Sequence, residues 1–183
     1  MADAANCILD RNPVGTGAFA FKMCRGISAA AEYPADAKWQ MSKRYPTRLK
    51  APMVVDNTCN MLIVHRSVKD VLEGTGVAME CYPFTLLDHR GNVASAEHFI
   101  VNPLGSFDCL DLQRSRIQYS QQVLGQIVGI DRMVLDPKKL EQAPDLFRVK
   151  ESVETYVVSH RLVELLRPAN PSNLFLKKLD QAG

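Results

Sequence analysis

Asp88, His89, Glu97 and His98 are residue types that can hold a zinc ion. Their placement argues against it. Asp88-His89-Arg90-Gly91-Asn92 is a hairpin-turn signal between two strand patterns, residues 77–87 and 93–101. With Arg90-Gly91 as a two-residue turn, His98 falls opposite Pro83. At ~3.3 Å per residue it then lies about 20 Å from His89, whereas the ligands of one zinc all lie ~2 Å from the ion. The expectation is two surface histidines and no metal.

Other reactive types fare no better. A cysteine nucleophile needs a depressed pKa and a nearby base. Cys109 sits between Asp108 and Asp111, whose charges disfavour the thiolate and raise its pKa, so it reads as a packing residue. Ser159 and His160 are adjacent, and neighbours point apart on a strand or a helix. Ser159 suits a helix N-cap instead. Gly15-Thr16-Gly17 lacks the Gly-Lys-Ser/Thr of a phosphate loop. Neither a catalytic constellation nor a cofactor site emerges.

Two polar segments remain. Over residues 38–50 there are five basic residues (Lys38, Lys43, Arg44, Arg48, Lys50), no acid, and the aromatics Trp39 and Tyr45. Single-strand nucleic-acid binders interleave cations and aromatics in this way. A solvated face, or a surface that meets an acidic protein, fits the same residues. Lys38, Trp39, Lys43, Arg44 and Tyr45 are therefore candidate partner contacts. In the block that runs from Phe99 through Asn102 and Pro103 to Ser115, Asp108, Asp111 and Ser115 have short side chains that can bond local backbone N–H groups and fix the loop.

The elements that must position these groups read as an α+β protein. Its sheet is mainly antiparallel, with short helices packed on one face and a less regular N-terminal segment in a single domain. Residues 18–23 predict a strand and residues 27–33 a weak Ala-rich helix. Pro46 and Pro52 bracket an exit, which divides an N-terminal extension or subdomain, 1–50, from the main domain, 51–183. Residues 61–64 predict a buried strand. Val68, Val71 and Leu72 predict a helix ending at Gly74. Pro83 makes its strand an edge there, or bulged. Residues 123–130, 133–135, 146–149 and 156–158 predict further strands. Residues 62–72 and 156–166 look duplicated: each is a strand, a cap position and a short helix. His65 is the poorer cap of the two. Each copy is followed by a strand pattern, at 77–81 and 173–177.

Composition sets the class. The chain has 183 residues, 46% of them hydrophobic, enough for a packed core in one domain. Net charge is +2, so nucleic acid is disfavoured but not excluded. The five cysteines, Cys7, Cys24, Cys59, Cys81 and Cys109, are scattered, as for reduced thiols in the cytoplasm. Met1-Ala2-Asp3-Ala4-Ala5-Asn6 shows no leader pattern, and no apolar run approaches the ~20 residues that span a bilayer.

The order of several short motifs carries a resemblance. Val64-His65-Arg66-Ser67-Val68-Lys69-Asp70-Val71-Leu72 precedes Tyr82-Pro83-Phe84. Then come a turn with Gly91 and the block Phe99, Asn102, Asp108-Cys109-Leu110-Asp111, Ser115. Leu135-Asp136-Pro137-Lys138-Lys139-Leu140, Leu146-Phe147-Arg148 and Val158-Ser159-His160-Arg161-Leu162 follow. From about residue 54 to 179 this resembles the immunity-protein family encoded beside toxins of bacterial polymorphic-toxin and type VI secretion systems. That family was first catalogued as a domain of unknown function and is common in myxobacteria and other proteobacteria. The resemblance implies a cytoplasmic, non-catalytic α+β protein that binds and neutralises a cognate toxin, without a cofactor. It implies that Asp108, Asp111, Ser115, Phe147 and Arg148 are pattern positions that hold the fold. The alternatives are a small α+β enzyme or nucleotide-binding regulator, and a nucleic-acid binder acting through residues 38–50.

Overall fold

In the computed structural model, which describes residues 3–182, the first half of the chain runs β1 (Ile8–Leu9), a 3-10 turn (Gly17–Phe19), α1 (Ala20–Met23), β2 (Lys38–Gln40), β3 (Asp56–Asn57), β4 (Leu62–His65), α2 (Arg66–Glu73), β5 (Met79–Leu87) and β6 (Val93–Pro103). The second half runs β7 (Arg116–Tyr119), β8 (Ile127–Arg132), β9 (Val134–Leu135), α3 (Pro137–Leu140), β10 (Leu146–Val149), β11 (Ser152–Val158), α4 (His160–Leu166), a 3-10 turn (Arg167–Ala169) and β12 (Asp180–Gln181). Met1 and Ala2, where the leader pattern would begin, and Gly183 lie outside the described residues, as does the side chain of Ala18.

The central sheet has the order β2-β5-β6-β4. Its β5–β6 and β4–β6 pairs are antiparallel and β2 runs parallel to β5. β7–β8 and β10–β11 are separate antiparallel pairs. The α+β architecture with a mainly antiparallel sheet is thus the observed one. β2 pairs only with Thr85, Leu86 and Leu87, so β5 is an edge at Pro83, where no N–H is needed. The β5–β6 loop is closed by Asp88, whose carboxylate accepts from Arg90 N and Asn92 N. Bulges near Phe84 and Leu86 shift the register, and His98 lies opposite Phe84 rather than Pro83.

Side-chain alternation along the strands sorts the core between two faces. On one, Ile63, Tyr82, Phe84, Leu86 and Ile100 meet Trp39, Leu9, Ala20 and Met23. On the other, Val64 and Val101 meet Val68 and Leu72 of α2 and Leu162 and Leu166 of α4. The two halves of the duplication therefore pack together around one core. A third cluster joins Cys109, Leu110 and Leu135 to Phe147, Val149 and Val157. Residues of the N-terminal segment from Cys7 to Met41 share the first core, and β2 joins the central sheet.

Four local expectations are corrected. Residues 18–23 are helical: Ala20 and Met23 are buried three apart, a helical spacing, and Phe19 N bonds back to Thr16 O. Residues 27–33 form no helix beyond a turn at 30–32, and the segment is tied to the sheet by Ala29 N, which donates to the Tyr82 hydroxyl at 2.8 Å. Residues 173–177 form no strand. Asn170 and Asn173 turn the chain left-handed at φ 43° and 65°. The strand expected over 123–130 begins only at Ile127.

Candidate functional site

Arg148, on β10, is fully buried. Its guanidinium donates to the carbonyls of Met23 (2.7 Å), Cys24 (2.9 Å), Pro103 (3.3 Å) and Val153 (2.9 Å), and to Asn102 Oδ1 at 3.3 Å. It lies over the Tyr156 ring, 4.3 Å from the centroid. Among the described residues no carboxylate pairs with it. Met23 and Cys24 close α1, where helical carbonyls lack partners and the helix end is negative. A planar five-donor fork suits such a cage, and a point-charge ammonium does not. Asn102, also fully buried, completes the node by donating to Ile27 O. Gly26 lets the strands of backbone close here, because a Cβ would meet Gly105 O at 2.4 Å.

The other pattern positions make contacts of their own. Asp111 Oδ1 accepts from Gln113 N and Arg114 N, both at 3.0 Å. Ser115 Oγ donates to Val134 O and accepts from Val134 N, clamping the loop to β9. Asp108 pairs with Lys139 at 2.6 Å. Phe147 packs at a tilt on Phe107, ring centroids 5.1 Å apart. An open recess of about 430 Å³ lies over Phe107, Asp108, Lys138, Lys139 and Gln142.

The groups weighed for chemistry are held in structural contacts. The Cys109 thiol is pushed up to about 11, first by burial and then by Glu151 and Asp108. The direction matches the sequence reading, but burial dominates. His98 is not the surface histidine expected but is buried against the sheet, its Nε2 bonded to Pro52 O and its Nδ1 to Ser95 Oγ, each at 2.9 Å. Ser159 caps α4, its Oγ accepting from Leu162 N at 3.0 Å while donating to Asp145. His65 caps α2 in the equivalent way, its Nδ1 accepting from Ser67 N at 3.3 Å. No group of three or more His, Cys, Asp or Glu among the described residues is arranged to hold a metal ion. None of their helices is long and apolar enough to cross a membrane.

The basic run is only partly a surface. Lys38, Lys43, Arg44 and Tyr45 are exposed, but Trp39 is 1% exposed and packs edge-on against Phe84. Trp39 is therefore removed from the candidate contacts: every second residue of β2 faces the core. Acids from the N-terminal segment reach two of the cations, Asp10 at Arg44 (3.6 Å) and Asp3 at Lys50 (2.9 Å).

Sequence reasoning missed the β7–β8 hairpin. Its signal is present: residues 117–130 form the longest stretch of the chain without Asp, Glu, Lys, Arg or His. Arg116–Asp131 and Arg132–Asp180 ion pairs stand at its base.

No curated protein matches this chain. The model of one family does, over residues 29–181, and so reaches further toward the N-terminus than the resemblance near residue 54; that match starts before β2 and covers Arg148, Asn102 and the β5–β6 and β7–β8 hairpins, while Met23 and Cys24 lie before it. On that match, the chain belongs to the immunity protein family (Imm11).

Proposed function

We propose that this chain binds and neutralises a cognate antibacterial toxin as a non-catalytic inhibitor, working in the cytoplasm of a bacterium with a polymorphic-toxin or type VI secretion system. The observation that carries this reading is the family match over most of the chain. Two features of the structure support it. The thiol, the imidazole and the hydroxyl weighed for chemistry are spent on packing, a bond to the Pro52 carbonyl and a helix cap. Asp111, Ser115, Phe147 and Arg148 make contacts within the protein, and we assign them, with Asp108, to holding the fold. We assign Lys38, Lys43, Arg44 and Tyr45 to the approach of an acidic partner, because exposed charges at a rim accelerate encounter more than they add affinity.

The test is co-expression. Cells that produce the toxin encoded beside this chain are expected to survive when the chain is supplied in their cytoplasm, and the two purified proteins to form a complex. A toxin that kills regardless and does not bind removes the reading.

A further inference from the structure

The β7–β8 hairpin stands apart from the central sheet. Its two strands pair only with each other, and an isolated two-stranded ribbon is marginal in water unless its base is held. Here Ile130 packs into the third core cluster, and the Arg116–Asp131 and Arg132–Asp180 pairs flank it. Beyond that base the hairpin exposes apolar side chains. Tyr119 is 52% exposed, Val123 53% and Val128 61%, and Leu124 at the tip is 104% exposed. Exposed strands are usually guarded by charges. This one has none between Ile117 and Ile130 and carries Gln118, Gln121, Gln122 and Gln126 instead.

The tip is also preorganised. Ser120 Oγ accepts from Gln122 N and Val123 N, both at 3.1 Å. Ser120 N donates to Gln126 O, and Gln126 N to Val123 O. Gly125 supplies the left-handed residue at φ 77°. A loop held in one shape before binding loses less entropy on binding.

Resting on the toxin-binding reading above, we propose that this hairpin is the anchor of the toxin interface, and that its tip, Val123 and Leu124 foremost, inserts into a neutral, apolar-lined recess of the toxin. The absence of charge from Ile117 to Ile130 fits such an occupant: nothing in that span needs a buried counter-charge, and Gln121, Gln122 and Gln126 can bond backbone groups lining the recess. A second copy of this chain fits less well. Bulges at Arg116/Ile117 and Gln118/Tyr119 distort the register of the hairpin, and bulged edges resist edge-to-edge strand pairing. Two tips meeting head-on would cover a few hundred Å² at most, against ~800 Å² per partner in a stable interface. Seated in a concave surface, one hairpin covers its tip and both faces at once.

The experiment measures binding of the full chain to the toxin encoded beside it, by calorimetry, with sedimentation of the free chain alongside. L124D is expected to weaken the complex ~30-fold or more, as loss of an anchor does, with an unchanged melting temperature. L124M is expected to bind normally. F175D, the same kind of change at an exposed apolar residue of the C-terminal segment, is expected to bind normally too. If the wild-type chain binds and L124D binds equally well, the hairpin proposal is overturned while the toxin-binding reading stands. If the free wild-type chain is a dimer that L124D dissociates without loss of toxin binding, the occupant is a second copy and the proposal is again overturned. If the wild-type chain binds no toxin, the parent reading fails, and this proposal with it.

Discussion

His65 and His98 are register partners across β4 and β6, their rings T-shaped with centroids 5.4 Å apart. Burial holds His98 below its ordinary value of 6.5, the bond to Pro52 O opposes the shift, and His65 adds to it. Glu97 and Arg66, paired beside the rings, are the other charges at this place. Because the folded pKa is depressed, the unfolded chain binds more protons between that value and about 6.5, so stability rises with pH across this window and falls on acidification. Urea midpoints are expected to drop as pH is lowered from 7.5 to 5. H98Q is expected to flatten that slope, and a flat wild-type profile would contradict the assignment.

Arg148 provides the sharpest stability test. R148M leaves the carbonyls of Met23, Cys24, Pro103 and Val153 without their donor. Unsatisfied buried groups cost about 1–3 kcal/mol each before relaxation, so the expected loss is about 3 kcal/mol or more by denaturant titration. R148K is expected to rescue little, since an ammonium cannot span the cage.

The paired caps predict a graded response. S159A removes the acceptor for Leu162 N at 3.0 Å and the partner of Asp145, and is expected to cost about 1–2 kcal/mol. H65A removes a longer 3.3 Å cap and is expected to cost less. Equal losses in thermal melts would show that the two copies use their caps alike.

Trp39 and Lys43 separate core from surface within the basic run. W39A is expected to cost about 3–5 kcal/mol, as an emptied core site does. K43E is expected to stay within about 0.5 kcal/mol of wild type and instead to slow association with the toxin, an effect that disappears at high salt. Stopped-flow rates at two ionic strengths check this.

Thiol labelling tests burial directly. With Cys7 and Cys109 both pushed up to about 11, only on the order of one in a thousand is thiolate at pH 8. Both are expected to escape iodoacetamide in the folded protein and to react after denaturation, as read by mass spectrometry.

Much of the fold was legible because local signals and tertiary demands agree. The helix ending at Gly74, the hairpin around Asp88 and Gly91, and the cap at Ser159 each rest on residues that act within a few positions of themselves. Segments 18–23 and 27–33 were misread because their partners lie far along the chain: Tyr82 decides where Ala29 N points. Arg148 as a node was invisible for the same reason, since its acceptors come from α1, β6 and β11. Trp39 looked like a surface aromatic among cations, because one alternating strand of three residues is too short to show which face is buried. The hairpin at 117–130 was readable from its missing charges, but a search for reactive side chains passes over a segment that has none.

The guanidinium of Arg148 bonds the carbonyl of Met23 across 125 positions. A chain emerging from the ribosome cannot make that tie until most of it has been translated, and long-range closure of this kind is slow. Shortening the chain from its carboxyl end past this arginine should therefore forfeit the folded state in one step rather than by degrees.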